Sequence, residues 1–110
     1  MLRFIIGLLL SLAPLIGHAA CSKTGCNNVY IDTLYINASG VIYIGTSGDE
    51  NALSCSAVSN VYATLDINEP GASAIYSALL TAQTSDKLVQ VRTVDNSPNC
   101  KVLYVVLNRQ

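Results

Sequence analysis

The chain has no tryptophan, one phenylalanine, one methionine and one histidine among its 110 residues. It is also poor in charge. Six Lys and Arg stand against seven Asp and Glu, only 12% of the chain, for a formal charge of −1. A protein that binds nucleic acid through its phosphates carries a basic excess, and this balance argues against one. A disordered chain combines low hydrophobicity with high charge. Here 51% of residues are hydrophobic, so a folded core is expected, and the length allows one domain at most.

What is present divides at residue 20. Met1-Leu2-Arg3 carries one positive charge, and Phe4 to Leu10 is a nearly unbroken apolar run that Leu12, Ala13, Leu15 and Ile16 extend. Small residues follow, Gly17-His18-Ala19-Ala20. A basic start, an apolar middle and a small-residue end form a secretory signal peptide, so residues 1–20 are read as a signal peptide and 21–110 as the single mature domain. Ser11 and Pro14 interrupt the apolar run, which falls short of the roughly 20 residues a bilayer core needs. Cleavage after Ala19 places Gly17 and Ala19 at the two small positions, and cleavage after Ala20 places the bulkier His18 at one of them. His18 also stands where lipoprotein signals carry an aliphatic residue, which disfavours a lipid on Cys21. The mature chain loses the only His, Met and Phe but keeps all six tyrosines. Its expected location is secreted or periplasmic.

All four cysteines, Cys21, Cys26, Cys55 and Cys100, lie in the mature part. An even count in a short exported chain implies disulfides. Zinc would need paired C-x-x-C knuckles or histidines, and the mature chain has neither. Four cysteines allow three connectivities. Cys21 and Cys26 are close, with Gly25 to help the chain turn, so the favoured pairs are Cys21–Cys26 and Cys55–Cys100. The second closes about 45 residues and is worth about 4 kcal/mol in the chain-entropy model. That is a large share of the stability of so small a domain.

The mature chain reads as five strands and one helix. Val29 to Ile36 is rich in residues that suit a pleated surface. Asn37-Ala38-Ser39-Gly40 supplies a turn, and Val41 to Thr46 completes a hairpin. Val58 to Ile67 is a third strand, with Val61, Ala63, Leu65 and Ile67 on one face. After Pro70-Gly71 the period changes. Ala72, Ile75, Tyr76, Leu79 and Leu80 fall at helical spacing, which predicts a helix over 72–84. Leu88 to Val94 alternates, with Val89 and Val91 inward. Val102 to Leu107 is apolar on both faces, which predicts a central or covered strand. The order β-β-β-α-β-β is that of a small OB-like Greek-key barrel. In that topology the third and fifth strands run parallel side by side. The expected Cys55–Cys100 bridge joins their starting ends.

Little in the mature chain can carry catalysis. It has no histidine for a general base and no free thiol once both bridges form. A serine nucleophile needs a base partner, and only three lysines are available. Asp49-Glu50 are adjacent carboxylates in a polar loop, expected to be solvated rather than an acid–base pair. With Asn51 they lack the alternating ligands of a calcium loop. Asn37-Ala38-Ser39 has the pattern of a glycosylation acceptor, idle in a bacterial source. The expectation is no enzyme, no metal and no cofactor.

Tyrosine offers apolar area with a hydrogen-bonding tip, and OB-folds bind oligosaccharides on strand faces and adjoining loops. Tyr43 and Tyr62 on the second and third strands, with Asp95, Asn96 and Asn99 in the last loop, are the expected ligand-binding set. The bland alternative is that the tyrosines replace the missing Phe and Trp in the core. The helix back face, Ser73, Ala74, Ser77, Ala78, Thr81 and Ala82, is small and uncharged. Such a face permits close approach of a second helix, so a homo-oligomer through helix 72–84 is a further expectation.

The stretch Ala74-Ile75-Tyr76-Ser77-Ala78-Leu79-Leu80, then Gln83, the Ser85-Asp86 turn and Leu88-Val89-Gln90-Val91-Arg92, resembles the helix-turn-strand of B subunits from subtilase-cytotoxin-like and pertussis-like bacterial toxins. The resemblance implies a secreted, disulfide-bonded OB-fold that assembles as a ring and binds glycan beside an exported partner protein. No glycan-contacting residue transfers onto this sequence. The chain is equally similar to small exported proteins of Gram-negative bacteria that have no assigned role. The expected function is a non-enzymatic binding module for carbohydrate, toxin-B-subunit-like, with no nucleic-acid partner and no membrane after cleavage. The alternative is a monomeric inhibitor or cell-envelope protein-interaction module acting through a loop.

Overall fold

The computed structural model describes residues 20–110. The signal-peptide assignment, apart from Ala20, lies outside the described residues. Seven strands and one α-helix follow in order: β1 (Ala20–Ser22), β2 (Gly25–Val29), β3 (Ile31–Ile36), β4 (Val41–Thr46), β5 (Ala63–Asp66), α1 (Ala72–Ser85), β6 (Val89–Thr93) and β7 (Val102–Val106). A 3-10 turn, Glu50–Ala52, lies between β4 and β5. The strands form two antiparallel sheets, a four-stranded one in the order β1-β2-β6-β7 and a three-stranded one in the order β3-β4-β5. No helix among the described residues is long and apolar enough to cross a membrane.

The expected first strand, 29–36, is divided. The chain pairs with β6 as far as Val29, then passes through Tyr30 into the other sheet, where β3 pairs with β4. Tyr30 itself is held by Ser47, which accepts from its N–H through Oγ at 2.9 Å and donates its own N–H to the Tyr30 carbonyl at 3.0 Å. One segment thus serves both sheets. The β1–β2 hairpin that precedes it was not expected. It places Cys21 directly opposite Cys26, and the two form a disulfide.

Alternation explains the remaining strands. In β4, Ile42 and Ile44 are buried while Tyr43 faces outward. In β5, Ala63 and Leu65 are buried, as the period predicts. The expected strand 58–67 shortens to these four residues, because Ser59 and Asn60 both adopt positive φ (52° and 65°) and turn the chain back on itself. Val58 and Tyr62 close that turn with paired backbone hydrogen bonds. Val61 and Ile67, expected on the same face as Ala63 and Leu65, are exposed.

The helix matches its expected span to within a residue. It ends at Asp86, whose left-handed conformation (φ 58°, ψ 48°) directs its N–H back to the carbonyls of Ala82 and Gln83, a common helix stop. Ala72, Leu79 and Ala82 are buried, and Ile75 and Tyr76 pack against the core from its margin. Leu80 is exposed and Ala82 buried, the reverse of the expected faces. The helix packs against β3 and β7.

β7 is not central. It stands at the edge of its sheet, with Leu103 56% and Tyr104 43% exposed. Apolar residues on both faces therefore misjudged its position. The two sheets approach where β5 meets the start of β7. The Thr64 N–H donates to the Cys100 carbonyl at 2.9 Å, in a parallel bridge between Thr64 and Lys101. The Cys55–Cys100 disulfide secures the same junction.

Candidate functional site

The outward side of the three-stranded sheet carries a cluster of aromatic rings. The β3–β4 register sets Tyr35 directly opposite Tyr43. Their rings stack with centroids 4.7 Å apart and planes inclined by 22°. Tyr62, one residue ahead of β5, meets both edge-on, at 6.1 Å from Tyr35 and 5.9 Å from Tyr43. Stacked and edge-to-face geometries are those the ring quadrupole favours. Gly45 lies beside this arrangement. A Cβ there would come within 3.4 Å of both the Tyr62 ring and Thr33. Tyr35 remains 49% exposed, so the cluster presents aromatic surface to solvent.

The register depends on the hairpin turn. The Asn37 side-chain oxygen accepts from the backbone N–H of Ser39 and of Val41, both at 3.1 Å, and from the Ser39 hydroxyl at 2.8 Å. The glycosylation-like tripeptide thus serves as turn chemistry. Its carboxamide is occupied in holding the loop that aligns Tyr35 with Tyr43.

Beside Tyr43 lies a cavity of about 300 Å³ between the three-stranded sheet and the loop that precedes β7, bordered by Thr64, Asp66, Asn99 and Lys101. Asn99 (φ 63°) and Cys100 (φ 46°) are consecutive residues in the left-handed region. The Cys55–Cys100 bridge and the Thr64 hydroxyl, which donates to the Asn99 carbonyl at 2.8 Å, hold them there. Lys101 reaches across to Glu69 at 2.5 Å. Hydrogen bonding and charge from Glu69 hold the Lys101 ammonium pKa above its ordinary value.

Of the five expected ligand residues, Tyr43, Tyr62 and Asn99 come together around this platform and cavity. Asp95 and Asn96 are not among the residues bordering it. The Asp95 carboxylate accepts from the Ser54 hydroxyl at 2.6 Å, tying two loops together. Asn96 sits at positive φ (56°) in an exposed turn. Sequence reasoning missed Tyr35, Thr64 and Lys101. The signal for Tyr35 was its place before the turn, but only the correct register puts it against Tyr43.

The expected solvated carboxylate pair is also corrected. Asp49 is exposed and accepts the Asn51 N–H at 3.0 Å, capping the 3-10 turn. Glu50 is 3% exposed. Its carboxylate accepts from the Thr46 N–H at 2.7 Å and from the Thr46 hydroxyl. Glu50 lies close to the sulfurs of Cys21 and Cys26. Those sulfurs are bonded to each other, so this group offers no thiolate pair to a metal.

Comparison of the chain with protein-family models, with curated proteins and with solved structures finds no match in any of the three.

Proposed function

We propose that this chain is an exported, non-enzymatic binding module that recognises carbohydrate through the tyrosine face of its three-stranded sheet. The observation that carries the reading is the stacked Tyr35–Tyr43 pair closed edge-on by Tyr62. Ring faces suit the apolar faces of sugars. The neighbouring Thr64, Asp66 and Asn99 offer a hydroxyl, a carboxylate and a carboxamide for sugar hydroxyls. A single strand of nucleic acid also stacks on aromatics, but it needs a basic groove for its phosphates. Here Lys101 is engaged with Glu69, and Asp66 borders the same cavity.

The architecture we propose is an OB-like barrel. The segment 25–36, which serves both sheets, and the parallel Thr64–Lys101 bridge support that reading. The resemblance to toxin B subunits points to the same ligand class, and to self-association through the uncharged helix α1.

The test is binding of the exported protein to a glycan array. We expect selective binding, weakened roughly tenfold by Tyr35→Ala or Tyr43→Ala, about the worth of one good aromatic contact. Unchanged binding in both variants overturns the assignment of the site. Absence of any glycan ligand, together with stoichiometric capture of an exported protein, favours the inhibitor or envelope-interaction reading instead.

A further inference from the structure

The outward side of the four-stranded sheet has its own chemistry. None of the seven acidic residues falls in its four strands, and Arg92 is the one cation within them. Arg92 forms no ion pair among the described residues. Its Nη1 donates to the Thr24 hydroxyl at 2.9 Å, while its Nε is buried without a partner. Across the sheet, Gly25 and Tyr104 flank it in register. The guanidinium lies over Gly25, where an added Cβ would come within 3.5 Å of it. It also lies 5.8 Å from the centre of the Tyr104 ring, within cation–π range. A guanidinium has five N–H donors in a planar fork, and one of them is used by the protein here.

Two residues along the same strand, about 7 Å away, Gln90 enters a groove of about 370 Å³. Five carboxamides border that groove: Asn27, Asn28, Gln90, Asn108 and Gln110. Gln110 is committed, because its side chain accepts from the Leu88 N–H at 3.1 Å and donates to the Leu88 carbonyl at 2.7 Å. It fixes the rim of the groove. The side chains of Asn27, Asn28, Gln90 and Asn108 have no hydrogen-bond partner among the described residues.

We infer that this face is a second ligand site, for a saccharide that bears an oxyanion. The two terminal nitrogens of Arg92, the Nε being buried, take the carboxylate or sulfate in a bidentate, charge-assisted contact. The uncharged carboxamides, each both donor and acceptor, take the hydroxyls along the groove. Charge complementarity selects this occupant, since Arg92 has no ion-pair partner among the described residues and no acidic side chain shares its four strands, so the site favours an acidic ligand over a basic one. The site is separate from the tyrosine face and stands independently of it.

The experiment is an amide-resolved NMR titration of the exported protein with glucuronate, with glucose 6-sulfate and with glucose. We expect both anions to shift the amides of Asn27, Gln90 and Arg92, and to bind roughly tenfold more tightly than glucose. A preference between the two anions identifies carboxylate or sulfate as the natural group. Arg92→Gln should abolish the preference for the anions. Arg92→Lys, which keeps the charge but not the fork, should lose most of it, and it provides the reading if the first variant does not fold. Tyr35→Ala should change nothing at this site. Equal affinity for all three sugars, no shift with any of them, or shifts confined to the tyrosine face overturns the inference.

Discussion

The three-stranded sheet turns Tyr35 and Tyr43 outward, whereas the four-stranded sheet turns Gln90 and Arg92 outward. Inward, the two are alike. Ile42, Ile44 and Leu65 from one meet Val29 and Val91 from the other in a single aliphatic core. Such cores tolerate exchange among residues of similar volume, so the inward set defines a fold and little else. The outward sets differ because the aliphatic core does not constrain them, and that freedom is where a ligand preference is written. The sheets also differ in how they are stapled. Cys21–Cys26 closes a hairpin within the four-stranded sheet, while Cys55–Cys100 ties the loop before β5 to the start of β7, where the two sheets meet.

The largest effect should come from breaking that junction. Replacing Cys55 and Cys100 together by Ser should cost about 4 kcal/mol in the chain-entropy model, against about 2 kcal/mol for Cys21 and Cys26, whose loop is far shorter. Urea unfolding of the two double variants measures the difference. The first should also speed hydrogen exchange at the Thr64 amide, which is bonded to the Cys100 carbonyl, and the second should not. Equal losses in the two variants would show that the sheets are held together by core packing and not by the bridge.

A smaller loss should follow from Glu50→Ala. The buried carboxylate satisfies both the N–H and the hydroxyl of Thr46 at the end of β4. Removing it strands two buried polar groups, at a cost of about 2–3 kcal/mol. Glu50→Gln keeps one acceptor oxygen and should lose less. Because Gly48 passes so close to Cys21 that a Cβ would stand 2.7 Å from its sulfur, the 46–50 loop also backs the β1–β2 hairpin. Chemical denaturation that shows both Glu50 variants as stable as the parent would mean that water replaces the carboxylate there.

Parts of this organisation were legible in the sequence, and the reasons are physical. Alternation gave the inward Val89 and Val91 and set Ala63 and Leu65 on one face, because one face of each strand must leave water. The nearness of Cys21 to Cys26 pointed to one disulfide, and the even count left Cys55 and Cys100 for the other. The β1–β2 hairpin was not legible, since Ser22 to Gly25 is short and polar and its strands are held as much by the Cys21–Cys26 bond as by propensity. The buried Glu50 was missed because a carboxylate in a polar run ordinarily stays in solvent, and only the fold brings Thr46 to it. At the candidate site, Tyr43, Tyr62 and Asn99 were recoverable from strand and loop positions. Tyr35 was not, because a turn of 37–40 alone would pair Ile36 with Val41. The observed partner of Ile36 is Ile42, and a shift of one residue exchanges the two faces of a strand.

The smallest stability effect should belong to Tyr35→Ala, and its smallness is what makes the variant informative. A half-exposed ring contributes its stacking on Tyr43 and little burial. A cross-strand aromatic pair is worth about 0.5–1.5 kcal/mol, so the variant should unfold within that margin of the parent. Core positions behave otherwise. Truncating Ile44, which is fully buried, should cost 2–5 kcal/mol, as roughly expected for a large aliphatic core residue. If Tyr35→Ala proves as damaging as a core truncation, the aromatic cluster is a second core that happens to lie near the surface, and the ring was kept for packing. If it unfolds almost like the parent while glycan binding falls, then the exposed aromatic area is retained at little structural benefit, and ligand recognition is the remaining reason for it to be there.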